Sequence, residues 1–310
     1  MPDAASWALP AIDWASPLDA AGLTQPARPG TVPLVTWPPA EFETTATDCF
    51  RQGDQIWIWQ PEVGAVRFSL SEPRLTAFIW PGADADWFRQ VVTRSWLPAI
   101  YPLWGRQVLH ASAVTCTASA ATVAFTGPTH AGKSTTAYGL SRRPGWRLLG
   151  DDTLAFSISP VGTDQPPAVL LHPIPNEARL RPASAGFYGL ADEETSLALE
   201  WPGGSPHLRA VYVLEGDDAF GPTAEFERLR AADGLPFLLQ QAYALSFGMP
   251  KYNQQLMKDY LALSAAVPIF RLRYRRSFDV AEELFAEIEA HVASETGTPC
   301  LPGAPGTSVG

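Results

Sequence analysis

The chain has 310 residues, 46% of them hydrophobic, and a formal net charge of −10. That is enough material for one large or two modest domains, and it excludes wholesale disorder. The acidic balance argues against nucleic acid or an anionic membrane as the main partner, and no apolar run approaches the ~20 residues of a membrane span.

The N-terminus lacks the basic and then apolar pattern of a signal peptide. Residues 1–47 are rich in Pro, Ala and Trp and read as an irregular arm with a turn at Pro38-Pro39. Trp7, Trp14 and Trp37 argue that the arm docks, shielding an acceptor or joining copies into a homo-oligomer. Residues 48–104 read as a β meander followed by a helix. Gln55–Trp59, Ala65–Leu70 and Thr76–Trp80 are β-branched or aromatic runs split by turn residues, and Asp84 to Leu103 is helical with breaks at Pro98 and Pro102. Cys49, Cys116 and Cys300 show no CxxC spacing and leave one over. The sequence therefore predicts no disulfide framework or zinc site, and it fits a reducing cytoplasm.

Residues 105–295 form the main domain. Val123-Ala124-Phe125 runs into Gly127-Pro128-Thr129-His130-Ala131-Gly132-Lys133-Ser134-Thr135, a match to Gly-x4-Gly-Lys-Ser/Thr. A strand must end and a helix begin across a loop whose amides turn onto phosphate oxygens. Gly127 and Gly132 allow the close approach, and the helix N-terminus adds partial positive charge. Lys133 is assigned to the β- and γ-phosphates, and the Ser134 hydroxyl to Mg2+. One helix and one short strand later comes Gly150-Asp151-Asp152. In a parallel sheet the ends of adjacent strands lie side by side, so the pair is expected to face the terminal phosphate. A plain turn closing a strand is the alternative. His110 lies on a strand before the loop, as an active-site group or a core histidine.

Beyond the Asp pair, Arg179 and Arg181 sit on a Pro-flanked segment and suit phosphoryl charge, or are simply solvated. Leu190 to Pro206 reads as a polar, mobile insertion. Arg209–Leu214 and Pro268–Tyr274 read as strands, and Leu235–Leu245, Met257–Ala265 and Val280–Ala293 as helices. Arg271, Arg273 and Arg275 share one face of the last strand. Residues 296–310 form a Gly/Pro-rich, disordered tail.

Three blocks carry a family resemblance: LHASAV (residues 109–114), GPTHAGKSTTAYGL (127–140) and WRLLGDD (146–152). Their order and spacing resemble the kinase domain of HPr kinase/phosphorylase. They are closer still to the related small kinases of bacterial peptide-modification clusters, which phosphorylate a C-terminal serine of a lasso-type precursor peptide.

The resemblance implies an α/β fold: a P-loop kinase domain of the HPr kinase/phosphoenolpyruvate carboxykinase-like type behind an N-terminal β-rich region. It implies ATP and Mg2+ as cofactors, Asp151 as the base on a serine hydroxyl, Asp152 beside the metal and His110 in the active site. The partner it implies is a peptide or small protein carrying that serine. One departure stands out, because this chain has His130 where the family commonly has Gly. The open alternatives are a P-loop ATPase or nucleotide-dependent switch without an acceptor, and an HPr-type kinase/phosphorylase.

Overall fold

A computed structural model describes residues 11–15, 32–37, 47–159, 167–190, 196–197, 199, 201, 206–243 and 249–297. The chain divides into two compact units, Ser6–Arg106 with Tyr243–Leu256, and Met1–Ala5 with Gln107–Ala242 and Met257–Gly310. The architecture is mixed α/β. Among the described residues no helix is long and apolar enough to cross a membrane.

The first unit is built on a six-stranded sheet. Its strands are β1 (Ala11–Ala15), β2 (Val32–Trp37), β3 (Thr47–Gln52), β4 (Gln55–Gln60), β5 (Gly64–Ser69) and β6 (Arg74–Ile79), in the order β1-β6-β5-β4-β3-β2. Strict alternation sends Trp57 and Trp59 of β4 to one face and Ile56 and Ile58 to the other. On the tryptophan face Phe50, Trp57 and Phe78 stack in series, with ring centroids 6.1 and 5.7 Å apart. Each such pair adds about 0.5–1.5 kcal/mol beyond its buried area. Two strands come from the stretch expected to be irregular. β1 pairs parallel with β6, and β2 pairs antiparallel with β3 across a register shift between Pro33 and Val35. Both lie at sheet edges, and β2 carries Pro33, which an edge strand tolerates. The turn at Pro38-Pro39, Trp7 and the tail beyond Gly297 lie outside the described residues, as does most of the Leu190–Pro206 segment.

Asp84 caps α1 (Ala85–Val91), its carboxylate accepting from the amides of Asp86 and Trp87. The chain then loosens into a π-helical turn, Val92–Trp96, before α2 (Leu97–Ile100), and closes with a 3-10 turn, Tyr101–Trp104. The two expected interruptions, Pro98 and Pro102, each stand near the start of one of these short segments, where a missing amide costs least.

The second unit holds strands β7 (Gln107–Leu109), β8 (Ala111–Cys116), β9 (Ala121–Thr126), β10 (Trp146–Gly150), β11 (Leu154–Ile158), β12 (Val169–His172), β13 (Ala178–Arg179), β14 (Ser196–Leu197), β15 (His207–Asp217), β16 (Ala224–Leu229) and β17 (Ile269–Arg275). Its helices are α3 (Lys133–Ser141), α4 (Pro182–Phe187), α5 (Ala231–Gln240), α6 (Pro250–Ala266, shared with the first unit) and α7 (Ala281–Thr296). The main sheet runs β10-β8-β9-β15-β12-β11-β7, and β17 joins β15 and carries β16. β13 and β14 pair separately.

β9 and β17 run parallel to β15, whereas β8 is antiparallel to both β9 and β10. This corrects the expectation that the Asp-pair strand adjoins the loop strand. β8 lies between them, so the start of β8 meets the ends of β9 and β10. Ala111 is opposite Thr126, and Ala113 is opposite Gly150. α3 and α7 supply Ala137, Leu140, Phe285, Ile288 and Val292 to one core with Val123, Phe125, Tyr212 and Phe270 of the sheet.

Two further readings change. α6 begins at Pro250 rather than Met257, because its polar first turns hide the helix. Cys116 is disulfide-bonded rather than free, while Cys49 is a buried thiol. Burial and the neighbouring Asp48 push the Cys49 thiol up to about 12.

Candidate phosphate-binding and transfer site

β9 enters the loop at Gly127 with φ 141°, and the loop leaves at Gly132 with φ 85°, both in the region that favours glycine. A side chain at Gly127 would press on the Leu214 carbonyl at 3.0 Å, and one at Gly132 would collide with the Tyr274 hydroxyl. Tyr274 donates to the Ala131 carbonyl at 2.8 Å, which fixes the loop from β17. Gly132 caps α3 without any side-chain hydrogen bond. The first amides of an α-helix have no intrahelical acceptor, which leaves this end able to receive an anion.

Lys133 is buried at 7% exposure, and its ammonium donates back to the carbonyls of Gly127 at 3.0 Å and Pro128 at 3.3 Å. Burial pulls its pKa below the usual lysine range. Asp152 and then Asp151 oppose that pull, and Arg181 adds to it. Two cations and two carboxylates therefore act on one another across the loop. An incoming polyphosphate would relieve the repulsion between Lys133 and Arg181, which is the physical test that the residues fit such a group.

The Asp pair follows β10. Asp151 is 3% exposed. Its Oδ1 accepts from the Ser112 hydroxyl at 2.6 Å, and its Oδ2 accepts the Arg179 amide at 3.0 Å. Its carbonyl accepts the Thr153 amide at 2.7 Å and Asn176 Nδ2 at 3.0 Å. The bond from Thr153 back to Asp151 closes a three-residue turn centred on Asp152, whose φ is 65°. A γ-turn with positive φ is rare in a non-glycine residue, and a backbone held there stores about 1–3 kcal/mol. The turn aims an exposed Asp152 carboxylate at His110, with Oδ1 2.9 Å from Nε2. The His110 carbonyl in turn accepts from the Thr126 hydroxyl at 3.0 Å, which ties it to the last residue of β9.

The two carboxylates differ in exposure and in partners. Asp151, read as the base, is sealed with both carboxylate oxygens occupied. Asp152, read as the metal's neighbour, is the accessible carboxylate with a histidine partner. Adjacent residues in a tight turn point in opposite directions, and the motif alone does not say which one points out.

The remaining expected residues divide. His130 has φ 70° and is exposed. Arg181 Nη1 lies 2.9 Å from His130 Nδ1 and 3.2 Å from Nε2. A donor in the ring plane cannot reach both nitrogens without meeting the carbon between them, so the guanidinium rests on the imidazole face. Pro128 and Thr129 are exposed at the loop tip. Ser134 is half-buried in the first turn of α3.

Two of the assigned residues have contacts of their own. The Thr135 hydroxyl is committed to Ser184 Oγ at 2.7 Å, and the Thr135 carbonyl accepts from the Tyr188 hydroxyl at 2.8 Å, so Thr135 anchors α4. Arg179 is joined to the site through its backbone amide, while its side chain is exposed. Ser112, Asn176 and Tyr274 were missed. Only Ser112 had a sequence signal, being two residues from His110, which itself is the bend between β7 and β8.

Among the described residues no group of three or more His, Cys, Asp or Glu side chains could hold a metal. A nucleotide-borne Mg2+ needs one or two protein ligands, the rest being phosphate oxygens and water. The Ser134 hydroxyl fits that smaller demand.

No protein-family model and no curated protein matches the chain. Among solved structures it is similar to the HPr(Ser) kinase/phosphatase from Coxiella burnetii. The identity is 13%, the match spans 62% of this chain and 93% of that one, and the TM-score is 0.33. So remote a likeness assigns no role to any residue.

Proposed function

We propose that the protein is an ATP- and Mg2+-dependent kinase that transfers the terminal phosphate to a serine hydroxyl of a peptide or small protein. The observation that supports it best is the convergence at one sheet end. Lys133, the uncapped start of α3 and Arg181 form the anion side, and Asp152 with His110 forms the proton-accepting side. In this reading the triphosphate lies along the loop from Gly127 to Ser134. Lys133 leaves its two carbonyl partners for the β- and γ-oxygens. The Ser134 hydroxyl would hold Mg2+, which would supply charge neutralisation. Asp152 takes the hydroxyl proton as the serine oxygen bonds to phosphorus and the bond to the leaving nucleoside diphosphate breaks, while His110 keeps its carboxylate oriented. A C-terminal serine of a lasso-type precursor is the narrower form of the proposal, and it rests on the three motif blocks.

The test is incubation with γ-labelled ATP and serine-ended peptides, beside a Lys133→Ala control. Label on serine supports the kinase, with Lys133→Ala expected to lose about 10²–10³ in rate. Label released only as free phosphate replaces the kinase reading with an ATPase.

A further inference from the structure

We propose that Asp151 is a positioning residue rather than the base, and that it sets both the proton-accepting carboxylate and the arginine arm of the site. The inference rests on the phosphotransfer reading above and deepens it. Four hydrogen bonds converge on Asp151, two on its carboxylate from Ser112 and the Arg179 amide, and two on its carbonyl from Thr153 and Asn176. They come from the strand that starts at His110's neighbour, from the turn that carries Asp152, and from the segment that leads into Arg181.

Each bond has a consequence for a group facing the loop. The Thr153 bond holds Asp152 at its left-handed backbone and so keeps its carboxylate on His110. Asn176 Nδ2 reinforces the same carbonyl and also reaches Thr153 Oγ1 at 2.8 Å, clamping the turn from outside. The Arg179 bond pins the short strand β13 two residues before Arg181, whose guanidinium rests on His130 over the loop. The Ser112 bond anchors the carboxylate to the strand between the other two. A sealed carboxylate whose oxygens are both engaged is poorly placed to take a substrate proton, yet well placed to fix what surrounds it.

Substitution separates the two roles. In Asp151→Asn the amide oxygen still accepts the Arg179 amide, and the amide nitrogen donates to Ser112, whose hydroxyl turns to accept. Charge is lost while geometry is kept. In Asp151→Ala both partners are stranded. We expect Asp151→Asn to keep kcat within about 10-fold of wild type, because the Asp152–His110 contact is left in place. Asp151→Ala is expected to lose about 100-fold in kcat and to bind ATP about 10-fold more weakly, as the turn and the arm both slip. Equal, near-complete loss in Asn and Ala variants with unchanged ATP affinity overturns the proposal and restores Asp151 as base. If the wild type binds ATP but transfers no phosphate, the kinase reading falls by itself. Positioning is then read from ATP affinity, where weakening in Ala but not Asn upholds it and no difference overturns it. A wild type that binds no nucleotide overturns both.

Discussion

The two units use burial for different ends. In the meander unit many buried side chains are aromatic and stack across strands, and some polar atoms carried in with them go unsatisfied. Gln60 is fully buried with neither amide atom partnered among the described residues, and Trp57 Nε1 is likewise alone. At the loop end of the second unit, buried polar groups are tied to one another. Ser112 holds Asp151, Lys133 holds the loop carbonyls, and Thr126 holds His110, while Asn176 Oδ1 and Arg275 Nε are among the atoms left over. An unpartnered buried polar atom costs stability and positions nothing. A partnered network stiffens its members and fixes directions, and directed groups are what chemistry requires. On this contrast the mutually tied polar groups lie at the loop end of the second unit.

The strongest way to break that contrast is Asp152→Asn. It removes the accessible carboxylate and leaves the clasp on Asp151 untouched, so transfer is expected to fall about 10²–10⁴-fold with ATP affinity preserved. Single-turnover rates beside equilibrium nucleotide binding check it, and unchanged turnover would put the reacting carboxylate elsewhere.

Next comes Trp57→Ala in the meander unit. Removing a ring that stacks on both Phe50 and Phe78 is expected to cost about 3–5 kcal/mol of stability. Denaturant unfolding measures the loss. The folded fraction should bind ATP as wild type does, and a matching drop in affinity would show that the first unit also shapes the site.

The smallest expected effect concerns His291, on the α7 face against the sheet. Its Nδ1 lies 2.9 Å from the Tyr212 hydroxyl, and its ring stacks on Phe226 at 4.1 Å. Burial lowers its pKa below 6.5, with Glu295 partly opposing. The unfolded chain therefore binds more protons than the folded one between the lowered value and 6.5. Stability rises with pH through that window and is lost on acidification. His291→Phe should flatten this acid slope in unfolding measured on both sides of the window, while the slope due to carboxylates remains.

Much of the site was legible because its signals are local. The loop spacing, the strand before it and the helix after it are consecutive in the chain, and Gly127 and Gly132 stand where positive φ is in fact required. β4, β5 and β6 were legible from alternation. β1 and β2 were not, since both are short edge strands and β2 carries Pro33, and β16 was missed despite its alternation because its surface face is charged. Ser184 and Tyr188 had no signal, for they reach Thr135 from 49 and 53 residues away.

The sequence by itself determined that a phosphate-binding loop, an Asp pair and a histidine occur in this order, because backbone freedom and helix polarity act over neighbouring residues. Only the tertiary structure decided which aspartate faces out. That choice depends on Ser112, Asn176 and the Arg179 amide meeting at one point from three distant segments, and on β8 lying between the loop strand and the Asp strand. Hydrogen-bond direction in a packed interior is set by what surrounds a residue, and adjacent identical side chains are told apart nowhere else.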